Sequence, residues 1–172
     1  MDLLPRKIED DYNEWIKQIR REIFKYDQVF KVGDGGCNEI DMQFLYKILQ
    51  INLKPGVKIA EIGVWMCRTT LLLGTMAKLH EGKVYSVDHF KGQSDRERVP
   101  NSPYYTFKQW TGGFDIEEIF KANIHRNELD DTVTLIKKSS IEASKEFKDN
   151  YFDFIFIDAS HDYESVKEDL NA

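Results

Sequence analysis

The chain has 172 residues, 31% charged and 41% apolar, a composition that fits one folded domain and excludes a disordered chain too poor in apolar residues to build a core. Lys and Arg number 24 against 30 for Asp and Glu, so the net charge of −6 and the lack of a basic run exclude non-specific nucleic-acid binding from the expected functions. No apolar stretch reaches the roughly 18 residues that span a bilayer, and the opening MDLLPRKIEDDYNEW turns charged too early for a signal peptide, so the expectation is a cytoplasmic protein with no membrane partner.

Residues 1–38 read as an N-terminal helical extension and residues 39–172 as one unit. In the extension, Ile8, Tyr12, Trp15, Ile16, Ile19 and Ile23 recur at three- and four-residue steps, an apolar stripe on a helix with a charged opposite face. It packs on its own domain, makes a homo-oligomer contact or covers a ligand. Gly33-Asp34-Gly35-Gly36 breaks the pattern. A second amphipathic helix places Ile40, Phe44, Leu45, Ile48 and Leu49 inward and ends before Pro55-Gly56.

Strand and helix then alternate. Val57–Ile62 reads as a strand, Arg68–Leu79 as a helix and Val84–Val87 as a second strand. His89–Phe114 is polar and aromatic without periodicity. A helix opens at Asp115, with Glu118 three residues on as in a capping box and Phe114 as a staple. Val133–Ile136 is the third strand, followed by a short helix around Ile141–Phe147. The run Phe152–Ile157 is nearly all apolar, as expected of a strand buried on both faces. The alternation predicts an α/β fold, a Rossmann-like doubly wound, mainly parallel sheet with helices on both sides.

Such sheets bind ligands at the carboxyl ends of their strands. The first strand runs into Glu61-Ile62-Gly63-Val64-Trp65-Met66-Cys67-Arg68-Thr69-Thr70. Gly63 starts a tight turn, and the Thr pair opens a helix whose free N–H groups can hold an anion. The G-x-G-x-x-G that a pyrophosphate needs is absent, since only its first glycine is present. A turn this bulky suits a small zwitterion better. The second strand ends at Asp88, placed either to accept bonds from ribose hydroxyls or to cap the next turn. After the third strand, Ser139 and Ser140 either cap a helix or meet an adenine edge. The fourth strand ends in Asp158-Ala159-Ser160-His161-Asp162-Tyr163. There Asp158 and His161 suit a divalent ion, a general base or a helix cap, and Asp162 suits the N-cap of Tyr163–Leu170.

These segments, in this order and spacing, resemble the class I methyltransferases that use S-adenosylmethionine, and within them the bacterial small-molecule O-methyltransferases that act on sugar and macrolide hydroxyls. The resemblance covers about residues 40 to 172, and Asp158-x-x-His161-x-Tyr163 is its most specific part. It implies that Glu61 and Gly63 lie against the methionine part of the cofactor, with Thr69 near its carboxylate. It further implies that Asp88 holds the ribose, that Ser140 lies by the adenine, and that Asp158 faces the reacting methyl and any Mg²⁺, with His161 as proton acceptor. The acceptor, a small-molecule hydroxyl, would be framed by Tyr104, Tyr105 and Trp110. Cys67 departs from the family, which usually has a second glycine there, and a side chain at that point is expected to narrow the methionine pocket.

The sequence stops in the helix after the fourth strand, where family members continue with further strands. An edge left open there invites pairing, so the expectation is a truncated chain, or one completed by another chain or a second copy. A non-catalytic cofactor-binding or assembly module and, more weakly, a nucleotide-dependent oxidoreductase are the competing functions.

Overall fold

A computed structural model describes residues 39–91 and 116–172. The N-terminal stripe from Ile8 to Ile23, the aromatic residues Tyr104, Tyr105 and Trp110, and the Phe114-Asp115 helix start lie outside those residues.

The elements in chain order are α1 (Glu39–Asn52), β1 (Lys58–Ile62), α2 (Arg68–Leu79), β2 (Lys83–Val87), α3 (Ile116–Arg126), β3 (Val133–Ile136), α4 (Ser140–Ser144), β4 (Phe154–Ile157) and α5 (Tyr163–Asn171). All four strands are parallel and lie in the order β3-β2-β1-β4. This is the α/β Rossmann-like sheet that the alternation of periods predicts. The order reverses at β1, so the crevice beyond the carboxyl ends of β1, β2 and β4 is the natural ligand position.

Register explains how the sheet is covered. Ile59, Val84 and Val133 stand side by side on one face, and all three are buried in a core with Leu71, Leu72, Leu73 and Met76 of α2. From α1 the stripe Met42, Leu45, Tyr46 and Leu49 joins them, at the i, i+3, i+4, i+7 spacing of one helical face. Phe44, expected inward, is 65% exposed because it falls one helical step, about 100°, off that stripe. The opposite face holds Ala60 and Tyr85, and the Tyr85 ring meets Phe147, Tyr151 and Phe152 edge-on at centroid distances of 5.3–5.7 Å. At the amino end of the sheet, the Lys58 ammonium lies 4.5 Å from the Tyr151 ring centre, and the Lys58 N–H donates to Asp153.

β4 departs from expectation. It pairs with β1 alone, and Ile155 is 55% exposed, so the strand is not buried on both faces. Phe154 and Phe156 pack on the core through one face while α5, on the other side, buries none of its residues. Apolar sequence alone does not separate a central strand from an edge strand. No helix among the described residues is long and apolar enough to cross a membrane.

The difference between the two faces can be measured. Ile155→Thr should change the unfolding free energy of the 172-residue chain by less than about 0.5 kcal/mol. Ile59→Ala, at a fully buried position, should cost roughly 2–5 kcal/mol. Urea titrations of the two variants check this, and equal losses would contradict the asymmetry.

Candidate functional site

The turn after β1 is held open by backbone geometry. Gly63 has φ +86°, and a Cβ built there would come within 2.4 Å of the Asp158 carbonyl oxygen and 2.6 Å of the Ala159 Cα. The ends of β1 and β4 therefore touch at the one residue that has no side chain to obstruct them. Trp65 (φ +45°) and Cys67 (φ +83°) are also left-handed. For side-chain-bearing residues this conformation costs about 1–2 kcal/mol each. Packing offsets that cost: Cys67 is 0% exposed and lies in the hydrophobic core, and Trp65 and Met66 pack against it. The sequence thus keeps a glycine-type turn without the glycines. The Cys67 thiol points into the core and does not narrow a ligand pocket, which corrects the expectation drawn from its side chain.

Below the turn lies Glu61, 0% exposed. Its two carboxylate oxygens accept from the Thr69 hydroxyl at 2.7 Å and the Ser86 hydroxyl at 2.8 Å, which ties β1 to α2 and to β2. Burial pushes its pKa from an ordinary 4.5 to about 7 against the opposing pull of these hydroxyls, and the Asp88 charge adds to the rise. The Thr70 hydroxyl acts on both Glu61 and Cys67, yet it completes no well-formed hydrogen bond among the described residues. Burial, reinforced by the Glu61 charge, raises the Cys67 thiol well above its usual value.

Asp88, one strand over, braces the turn. One oxygen accepts from the Val64 N–H at 3.0 Å and the other from the Phe90 N–H at 2.7 Å. A carboxylate offers about four acceptor positions, so about two remain for a ligand. Asn123 of α3, 2% exposed, donates to the Met66 carbonyl at 3.1 Å and fixes the far side of the turn.

Beyond β4, the His161 Nε2 lies 3.2 Å from an Asp158 oxygen, the imidazole well exposed and the carboxylate half-buried. Asp162 is the N-cap of α5, as its position predicts: it accepts from the Ser165 N–H at 3.1 Å and from the Ser165 hydroxyl. Those bonds, with one from Ser160, hold its carboxyl below the usual range. Ser139 caps α4 in a reciprocal box with Glu142. The Ser140 hydroxyl donates to Asp169 of α5, so any contact with an adenine edge falls to the Ser140 backbone N–H in the first turn of α4.

Glu61, Gly63, Thr69 and Asp88 therefore gather around one turn, with Asp158 against Gly63. Glu61 lies beneath that turn, so it would act on a ligand through the groups it holds. No group of three or more His, Cys, Asp or Glu suited to a metal ion exists among the described residues. Ser86 and Asn123 had gone unnoticed. Each is a polar residue in an apolar position, Ser86 between Tyr85 and Val87 and Asn123 in the stripe Ile116, Ile119, Phe120, Ile124, and that misfit was the available signal.

Fold and site define a Rossmann-like protein with its ligand turn after the first strand. Residues 60–172 match the methyltransferase domain family, and the chain belongs to that family. Its fold is similar to two solved structures at TM-score 0.56 each. Cofactor-bound Rv0187 from MTB is 16% identical, with 83% of this chain covered. A Staphylococcus aureus protein assigned as a caffeoyl-CoA O-methyltransferase is 14% identical, with 95% covered. The chain spans 53% and 66% of the lengths of these two proteins.

The buried carboxyl gives a signed prediction. The folded chain keeps the Glu61 proton up to about pH 7 while the unfolded chain loses it near 4.5. Its contribution is thus full below pH 4.5 and is lost as pH rises to about 7. At about 1.4 kcal/mol per pKa unit the loss is ~3 kcal/mol. Glu61→Gln should remove that slope, read as the difference between variant and parent melting curves across this pH range.

Proposed function

We propose that the chain forms the cofactor-holding part of an S-adenosylmethionine-dependent methyltransferase whose acceptor is a hydroxyl of a small molecule, of the sugar or macrolide kind. The observation that carries this reading is the pairing of a bare-backbone turn at Gly63 with the Asp88 carboxylate at the end of the adjacent strand, in a chain of the methyltransferase domain family. The residues fit the adenosyl cofactor in kind. Asp88 has acceptor positions left for ribose hydroxyls. Thr69, in the first turn of α2, lies where free backbone N–H groups favour a carboxylate.

When bound, the cofactor supplies an activated methyl group on a sulfonium. The acceptor oxygen forms its bond to carbon as the carbon–sulfur bond breaks, so the protein's tasks are alignment and removal of the acceptor's proton. The Asp158–His161 pair suits the second task. With Nε2–H donated to Asp158, the imidazole is oriented and Nδ1 is left to take the proton. Asp158 and His161 alone do not make a Mg²⁺ ligand set, so no step is assigned to a metal.

Calorimetry with S-adenosylmethionine, S-adenosylhomocysteine and NAD tests the reading. Both adenosyl ligands should bind, and NAD should not, because Trp65 and Cys67 stand where a pyrophosphate needs bare backbone. Binding of NAD alone would overturn it. Binding without methyl transfer to any hydroxyl acceptor would favour a non-catalytic cofactor module. Asp88→Ala should weaken S-adenosylhomocysteine by tenfold to a hundredfold, the equivalent of roughly 1–3 kcal/mol of lost bonds to a charged acceptor. An unchanged affinity would remove Asp88 from the ribose site.

A further inference from the structure

Glu61 is buried completely, without a cation to neutralise it among the influences that act on it. From α2 it meets the hydroxyls of Thr69 and Thr70, from β2 the Ser86 hydroxyl and the Asp88 charge, and from the turn the Cys67 thiol. Its register neighbour on β4 is Phe156. As a carboxylate, Glu61 takes the proton of both the Thr69 and the Ser86 hydroxyl as acceptor. As a carboxylic acid it has a proton of its own to give. Donated to the Thr69 oxygen, that proton releases the Thr69 hydroxyl hydrogen to turn away from Glu61 and donate elsewhere.

We propose that Glu61 is a proton-coupled positioning residue: when the carboxylate of an adenosyl amino-acid ligand docks at the first turn of α2, Glu61 takes up a proton and Thr69 reverses its hydroxyl to donate to that carboxylate. This rests on the adenosyl reading above and deepens it. The balance is one proton from solvent to Glu61, with no other bond made or broken. Two features of the site support it. The Thr70 hydroxyl beside the pair is fully buried and completes no hydrogen bond, so the cluster is one donor short of a settled network. A second anion brought close to a buried carboxylate also favours protonation of the group that already holds its proton least firmly, and Glu61 does so near neutrality, at about 7.

Titration calorimetry of the whole chain in buffers of different ionisation enthalpy counts protons taken up on binding. With S-adenosylhomocysteine, uptake should approach one proton above about pH 7, and affinity should fall up to tenfold per pH unit there. Adenosine, which lacks the carboxylate, should bind with no uptake attributable to this site. Glu61→Gln keeps the shape and both hydrogen-bond contacts, and should bind S-adenosylhomocysteine with affinity independent of pH. Persistence of the parent's uptake in that variant would assign the proton elsewhere and overturn the proposal. So would S-adenosylhomocysteine binding with no uptake, or equal uptake with adenosine, and both readings need no variant. A parent chain that binds neither adenosyl ligand at any pH overturns the adenosyl reading itself, and this inference with it.

Discussion

The close approach of β1 and β4 at Gly63 governs the site end of this molecule. Two parallel strands meet there with no room for a single methyl group, and the backbone must then leave in a left-handed conformation. Everything that follows is set by that departure: where the turn lies, where α2 begins, and how near Asp158 comes to the Glu61–Thr69 pair. The constraint is steric, so no other L-amino acid could satisfy it without moving a strand.

Around that point the structure is held by polar groups that reach across elements. Glu61 joins β1 to α2 and β2, Asp88 joins β2 to the turn, and Asn123 joins α3 to the same turn. Such groups are costly to bury and are tolerated when their bonds are made. Here they fix one turn from three sides. A preorganised turn of this kind lowers the ordering cost of binding a flexible ligand. The amino end of the sheet is organised differently, by the ring cluster of Tyr85, Phe147, Tyr151 and Phe152, and carries no comparable polar set.

Much of the architecture was legible in the sequence because the period of the apolar residues switches cleanly between strand and helix. The bounds of α2 and β3 follow from the pattern, and Asp162 declared itself as a cap by standing before a charged helix. What periodicity lacks is information about neighbours. It could not tell that β4 is an edge strand with Ile155 outward, nor that Phe44 sits beside the buried stripe of α1. The site shows the same division. Gly63, Thr69 and Asp88 were readable from their places at strand and helix ends, whereas the inward direction of Glu61 depends on its register against Ser86. Cys67 misled for a related reason, since its residue type suggested an obstruction and its backbone angle turns the side chain into the core.

That inward-turned thiol makes the turn its own reporter. A sulfhydryl with no exposed surface and a strongly disfavoured thiolate is inert to alkylating reagents while the fold is closed. It reacts only during excursions in which the segment between Gly63 and α2 lifts from the core, so its rate of modification counts those openings. A ligand seated on the turn must slow that count in proportion to its occupancy, and so the chain carries a built-in clock for the breathing of its own binding loop.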